Sequence, residues 1–161
     1  MLNEIIWSWI GGFCGIAAVT FINYNLLAGK DMLLIVGSFG ASAVLIYGVP
    51  KSPFAQPRNL IGGHVFSAII GVASYQLLHN HLWLAAALAV STAIAVMHLT
   101  KTLHPPGGAT ALIAVIGGSK IYDLGFLYPL MPVGVGAAIM LIVALIVNNI
   151  PKSRKYPEFW Y

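Results

Sequence analysis

Charge is what this sequence has least of. Of its 161 residues only 7% are Asp, Glu, Lys or Arg, against 59% hydrophobic, whereas soluble domains carry about 25% charged residues. A chain so poor in charge cannot cover a water-facing surface. It reads as an integral membrane protein whose first partner is the lipid bilayer. Cysteine is nearly missing too: Cys14 stands alone, which excludes an internal disulfide and a cysteine-based metal site. Its Gly and Ala neighbours make it a packing thiol. The five histidines come without an HExxH pattern or a close carboxylate, so no metal is expected. There is no P-loop, dinucleotide fingerprint or nucleophile–base pair, so the expectation is no enzyme and no cofactor. The net charge of +4 sits in short loops and in the tail. It leaves no surface for nucleic acid and serves membrane orientation instead. The N-terminus lacks the basic region and cleavage site of a signal peptide, and none is expected.

The few charges divide the chain. Glu4 and Lys30 enclose an uncharged run long enough for one helix, and Asp31 and Lys51 enclose a second. Arg58 and Lys101 enclose a tract for two helices, with His79, Asn80 and His81 as the polar turn between them. Lys101 and Lys120 enclose a short segment, and Asp123 and Lys152 the last. The expectation is an all-α transmembrane chain of six membrane elements in a small helix bundle, followed by a cytoplasmic tail over 151–161. If all six cross, Lys51, Arg58, Lys101, Lys152, Arg154 and Lys155 share one side and only Lys30 and Lys120 lie opposite. That bias puts both termini on the cytoplasmic side, or its organellar equivalent. If the short segment re-enters instead, the split becomes even.

The chain is organised around His104, Pro105, Pro106, Gly107, Gly108, Ala109 and Thr110. Two prolines and two glycines are expected to interrupt helix, because proline has no N–H donor and extends the residue before it. A fresh helix is expected over 109–116, about 15 Å long, roughly half of a ~30 Å hydrocarbon core. Such a half-helix presents free N–H groups and a partial positive charge, which suit a small anion without Lys or Arg. Gly107, Gly108, Ala109 and Thr110 would form that end. Ser38, Gly40, Ala41 and Ser42 offer the same chemistry earlier in the chain. His104 and His64 can hold a proton or a transient charge, and Arg58 and Asn59 can attract anions at a cytoplasmic mouth. For the glycines, close helix packing stays open as the other reading. For Arg58 and Asn59 it is an orientation charge and a helix cap, for His104 a helix-end or loop histidine at the interface close to Lys101, and for His64 a hydrogen-bonded packing role.

The two halves, 1–79 and 80–150, look alike. Phe39-Gly40-Ala41-Ser42-Ala43 lines up with Gly107-Gly108-Ala109-Thr110-Ala111, and Pro57 and Gly62 match Pro129 and Gly134. Each half has a helix, a Gly-broken segment and a Pro-led helix. An odd number of crossings per half makes the second half inverted, an architecture of transporters whose site lies where the breaks meet. Small-xxx-small faces at Gly11 and Gly15, at Gly63, Ser67 and Gly71, and at Gly134 and Ala138 suit tight crossings within the chain or across a homo-oligomer, a dimer being favoured.

With these residues in view, the chain resembles the HPP family of small integral membrane proteins. The family's naming motif stands here as His104-Pro105-Pro106 followed by Gly-Gly-Ala-Thr-Ala. Phe39-Gly-Ala-Ser-Ala and the run from Ala55 through Gln-Pro-Arg-Asn-Leu-Ile-Gly-Gly to His64 belong to the same resemblance. It implies a compact transmembrane domain, usually described with four spans where six elements are counted here. Plastid and cyanobacterial relatives are associated with nitrite transport, and many bacterial relatives have no assigned substrate. The implied function is passage of a small inorganic anion, nitrite foremost, between the two broken segments. Two other readings stay open: transport of another solute or a cation, and a non-transporting scaffold or assembly subunit.

Overall fold

A computed structural model describes residues 1–27 and 35–160, and helix is the only regular secondary structure among them. Lys30 and Asp31, used above as boundaries and Lys30 also as an orientation charge, and Tyr161 of the tail lie outside the described residues. Four stretches are long and apolar enough to cross a membrane: Leu2–Leu26, Pro57–Leu78, Leu82–Leu99 and Gly125–Val147. Two apolar helices are shorter, Ser38–Gly48 and Pro105–Ile116.

In chain order, α1 is Leu2–Phe21 and continues through one wider turn to Leu26. Helix α2 is Ser38–Ala43, widened over Val44–Gly48. Helix α3, Pro57–Leu78, begins with proline at its first position, where the missing N–H would have no helical partner anyway. Helix α4 is Leu82–Leu99 and α5 is Pro105–Ile116. A short turn α6, Ser119–Tyr122, leads to a kinked entry and then α7, Val135–Val147. The kink follows from sequence: Met131 precedes Pro132 and is extended, at φ −139° and ψ 120°, as proline's ring demands of its predecessor.

Helix α5 corrects the expectation of an interruption followed by a helix from 109. The helix starts at Pro105, so the two prolines and two glycines form its first turn. His104 alone takes the extended conformation before it, at φ −138° and ψ 102°. Prolines break a helix from inside, but at the first two positions they lose nothing. At the far end Gly118 turns the chain at φ +81°, where a side chain would be strained.

Glycines set how the helices touch. Helices α3 and α5 run side by side in the same direction. A Cβ on Gly63 would overlap His104 and come within 2.9 Å of the Thr102 carbonyl, and one on Gly71 would lie 2.6 Å from the Ala111 carbonyl. Across α1, the Tyr47 ring occupies the space that side chains at Gly11 and Gly15 would need. Tyr47 is buried and donates to the Met140 carbonyl at 3.0 Å. Two of the small-residue faces read from the sequence are therefore contact faces inside one chain. The main core gathers Phe39, Ile46, Tyr47, Leu60, Tyr128 and Met140.

The tail folds back onto the bundle. Arg154 is 6% exposed and spends all five N–H donors: Nε on Glu4, Nη1 on the Tyr47 carbonyl and Asn148 Oδ1, Nη2 on the Glu4 carbonyl and Ser8 Oγ. Tyr156 donates to the Ala55 carbonyl at 2.7 Å. Burial pushes its phenol above the usual range, so the group stays a donor. The start of α1, the end of α2 and the end of α7 are thus tied together at one end of the molecule.

Candidate functional site

Helices α2 and α5 meet head to side and run antiparallel. Ser38 lies beside Thr110, and Ser42, one turn on, lies beside His104. His64 of α3 fills the corner between them. The result is a continuous chain of hydrogen bonds. Ser38 Oγ and Thr110 Oγ1 are 2.7 Å apart, Thr110 Oγ1 and His64 Nδ1 2.7 Å, and His64 Nε2 and Ser42 Oγ 2.7 Å. Ser42 Oγ and His104 Nε2 are 2.9 Å apart, and His104 Nδ1 lies 2.7 Å from the Phe54 carbonyl. All five side chains are buried, His64 and His104 completely. Phe39 presses edge-on against the His64 ring at 5.3 Å between centroids. The two imidazoles stand 4.9 Å apart.

Local sequence explains each placement. His104 is fixed from three sides. The proline after it holds its backbone extended, Gly63 leaves room for its Cβ, and Asn59 Nδ2 grips the preceding Leu103 carbonyl at 2.8 Å. Arg58 donates to the Thr100 carbonyl at 2.6 Å and so pins the same connection. Arg58 and Asn59, expected as an anion-attracting mouth, hold the α4–α5 link in this arrangement. Tyr128 braces α5 by donating to the Thr110 carbonyl at 3.2 Å.

Of the residues singled out in the sequence, Ser38, Ser42, His64, His104, Gly107 and Thr110 are brought together. Gly40, Ala41 and Ala109 are exposed and Gly108 is half-buried beside Val90, so these four face away from the chain of bonds. The expected cradle of free backbone N–H groups is reduced at its source. Pro105 and Pro106 have no N–H to offer, and the Gly107 N–H is bonded to the His104 carbonyl at 2.7 Å. Side chains carry the polarity here.

Three participants escaped the sequence reading. The Phe54 carbonyl is a backbone acceptor and leaves no signature. Tyr128 reads as one more apolar aromatic. Ser67 was noted only as a small residue, yet its Oγ is the one buried side-chain polar atom among the described residues with no hydrogen-bond partner. It lies 2.7 Å from where a Gly107 Cβ would stand.

The chain of bonds holds no Lys, Arg, Asp or Glu. Among the described residues no group of three or more His, Cys, Asp and Glu is placed to hold a metal ion. A cleft of about 310 Å³ lined by Glu4, Lys51, Ser52 and Arg154 opens at the tail end, and none of the clustered hydroxyls or imidazoles lines it. In this conformation the polar groups are closed upon one another.

A family model described as "HPP, transmembrane region" matches residues 1–157. Two proteins of Dictyostelium discoideum, each named as a transmembrane protein, are similar along 99% of this chain. One is 49% identical and the other 48%. The chain spans about half the length of these curated relatives, 52% of the first and 57% of the second. No solved structure matches.

Proposed function

The chain belongs to the HPP transmembrane family, and from that premise we propose that it passes a small inorganic anion, nitrite foremost, through the meeting point of α2 and α5. The observation that carries this reading is the buried chain Ser38, Thr110, His64, Ser42 and His104, at the junction of the two shorter apolar helices. An uncovered polar group in lipid is costly, and intramembrane ionisable groups concentrate at solute and proton paths. Hydroxyl and imidazole donors bind an anion without a fixed cation. Weak binding of that kind suits entry and release.

The repeat supports the same reading. Ser42 and Thr110 occupy matched positions in the two halves, and both bond to His64. Helices α2 and α5 run antiparallel, as inverted repeats require. In this proposal six elements cross, the solute site lies on the pseudo-symmetry axis, and Arg154 with the tail marks the cytoplasmic end. Passage then requires α2 to part from α5, with the anion taking over bonds that the side chains now make to each other.

The test is nitrite flux into proteoliposomes holding the purified chain, beside His104→Ala. Flux above empty liposomes and a tenfold or greater loss in a folded variant supports the reading. No flux from a monodisperse, correctly inserted sample removes it. The mutual satisfaction of the polar groups favours one rival, a non-transporting scaffold held rigid by them. That rival predicts no flux and a stable partner in mild detergent.

A further inference from the structure

The buried chain admits one neutral arrangement of its protons. The Phe54 carbonyl can only accept, so His104 carries its proton on Nδ1 and presents Nε2 as an acceptor. Ser42 then donates to His104 Nε2 and accepts from His64 Nε2–H. His64 Nδ1 accepts from the Thr110 hydroxyl, which accepts from Ser38. Every bond points from Ser38 toward Phe54. Both tautomers are assigned by this accounting.

The same groups admit a second arrangement holding one proton more. Ser42 Oγ lies 3.3 Å from the Ser38 carbonyl of its own helix, and Thr110 Oγ1 lies 3.3 Å from the Pro106 carbonyl. With the Ser42 hydroxyl turned to Ser38, its two lone pairs accept from His64 Nε2–H and His104 Nε2–H together. A His104 imidazolium then has both N–H groups paired. Turning Thr110 to Pro106 does the same for His64. Only hydroxyl hydrogens rotate.

The surroundings add no competing charge. Helix α2 contributes Ser38, Phe39 and Ser42, and α4 contributes Met97 beside Gly107. Tyr128 donates to the Thr110 carbonyl, and from the tail Tyr156 donates to the Ala55 carbonyl. On α3 the Arg58 guanidinium is turned to the Thr100 carbonyl. Lys51 and Lys101 are exposed.

We propose that His64, Ser42 and His104 form a one-proton binding site, filled by hopping from Ser38, and that this proton is the countercharge with which a small anion enters. The second half rests on the transport reading; the first does not. A hydronium ion gives its proton to Ser38 Oγ, Ser38 passes its own to Thr110, and Thr110 to His64 Nδ1. The Thr110 hydroxyl, now carrying the Ser38 proton, turns to the Pro106 carbonyl, and His64 holds one proton on each ring nitrogen. Each O–H bond broken is replaced, water is released, and the Phe54 carbonyl ends the line. An anion among these groups meets no Lys or Arg, and a lone buried charge is strongly disfavoured. One imidazolium cancels it.

The experiment is ring ¹⁵N NMR of the chain in liposomes, with His79→Gln, His81→Gln and His98→Gln so that only His64 and His104 report. It is read from about pH 8 to about pH 4.5, first without added anion. At the upper limit each ring should show one protonated and one bare nitrogen, bare at Nδ1 in His64 and at Nε2 in His104. Acidification should remove one bare-nitrogen signal and leave the other, one proton per chain. Nitrite at ten times its Kd should raise the midpoint by about one pH unit, the shift for a ligand that binds only the protonated form. Folded Ser42→Ala should lose the uptake. Two rings that keep their bare nitrogens throughout, two that titrate independently, or a Ser42→Ala chain that titrates unchanged would each overturn the proton site. Uptake without a nitrite shift upholds the proton site and overturns the countercharge half. Nitrite flux without uptake overturns this proposal and leaves the transport reading standing.

Discussion

Gly63 decides how closely α3 approaches His104, because a methyl group there would run into the imidazole-bearing carbon and the Thr102 carbonyl. Neither neighbour is the free end of a flexible side chain, so the helices must separate. Gly63→Ala should cost about 1–3 kcal/mol, read as a lower unfolding temperature in detergent. Gly12→Ala, with nothing within 4 Å, should stay within about 0.5 kcal/mol of the parent. Thr110→Val keeps the shape and deletes the hydroxyl shared by Ser38 and His64. Leaving those buried groups unpaired should cost about 1–3 kcal/mol, by the same measurement. At this scale the sequence spoke clearly where chemistry sits in side chains: Ser42, His64, His104 and Thr110 stand out among apolar neighbours. It was silent about the Phe54 carbonyl, since every residue carries one. It misled over Arg154, because an arginine in a polar tail reads as a solvated orientation charge until its partners are in view.

Among the elements, α5 shows how the same residues carry two opposite instructions. Pro105 and Pro106 would stop a helix that reached them from upstream, yet they start one that leaves them downstream. Sequence pattern located the break and its length to within a few residues, but which side of the prolines belonged to the helix depended on what His104 is bonded to. Expecting the helix to begin at Ala109 also led to an expectation of free N–H groups that the prolines cannot supply. The tail is the other lesson. Its Arg154 joins three helix ends, and Gln56 Oε1 accepts from the Glu158 N–H at 2.9 Å. Arg154→Ala leaves Asn148 Oδ1 and the Tyr47 carbonyl without their donor, and should destabilise the bundle by about 2–4 kcal/mol. Arg154→Lys, with three donors in place of five, should recover only part of that loss. Faster amide exchange over 152–160 in both variants would identify the tail as the element released.

For the molecule as a whole, composition gave a membrane protein, and uncharged runs as long as membrane helices gave an all-helical fold. Which short helix packs on which was not legible. Those contacts depend on glycines whose partners lie far away in sequence, as Gly15 does from Tyr47. Sidedness is open to direct test. In a Cys14→Ala background, Lys51→Cys and Lys155→Cys should react with an impermeant maleimide from one face of the membrane, and Asn80→Cys from the other. Labelling of all three from one face would remove the six-crossing arrangement. The Arg154–Glu4 ion pair joins residues 150 positions apart, and that separation has a consequence for biosynthesis. A ribosome adding about 5–20 residues per second needs roughly 8–30 s to make the stretch between them. Throughout that interval the Glu4 carboxylate must wait in the nascent chain, and Ser8 and the Tyr47 carbonyl from the point at which each is made, with water or another protein as temporary company. The last helix and the tail therefore close the bundle as a late step of synthesis, and a translocon or chaperone that shields the first helices has that long to act.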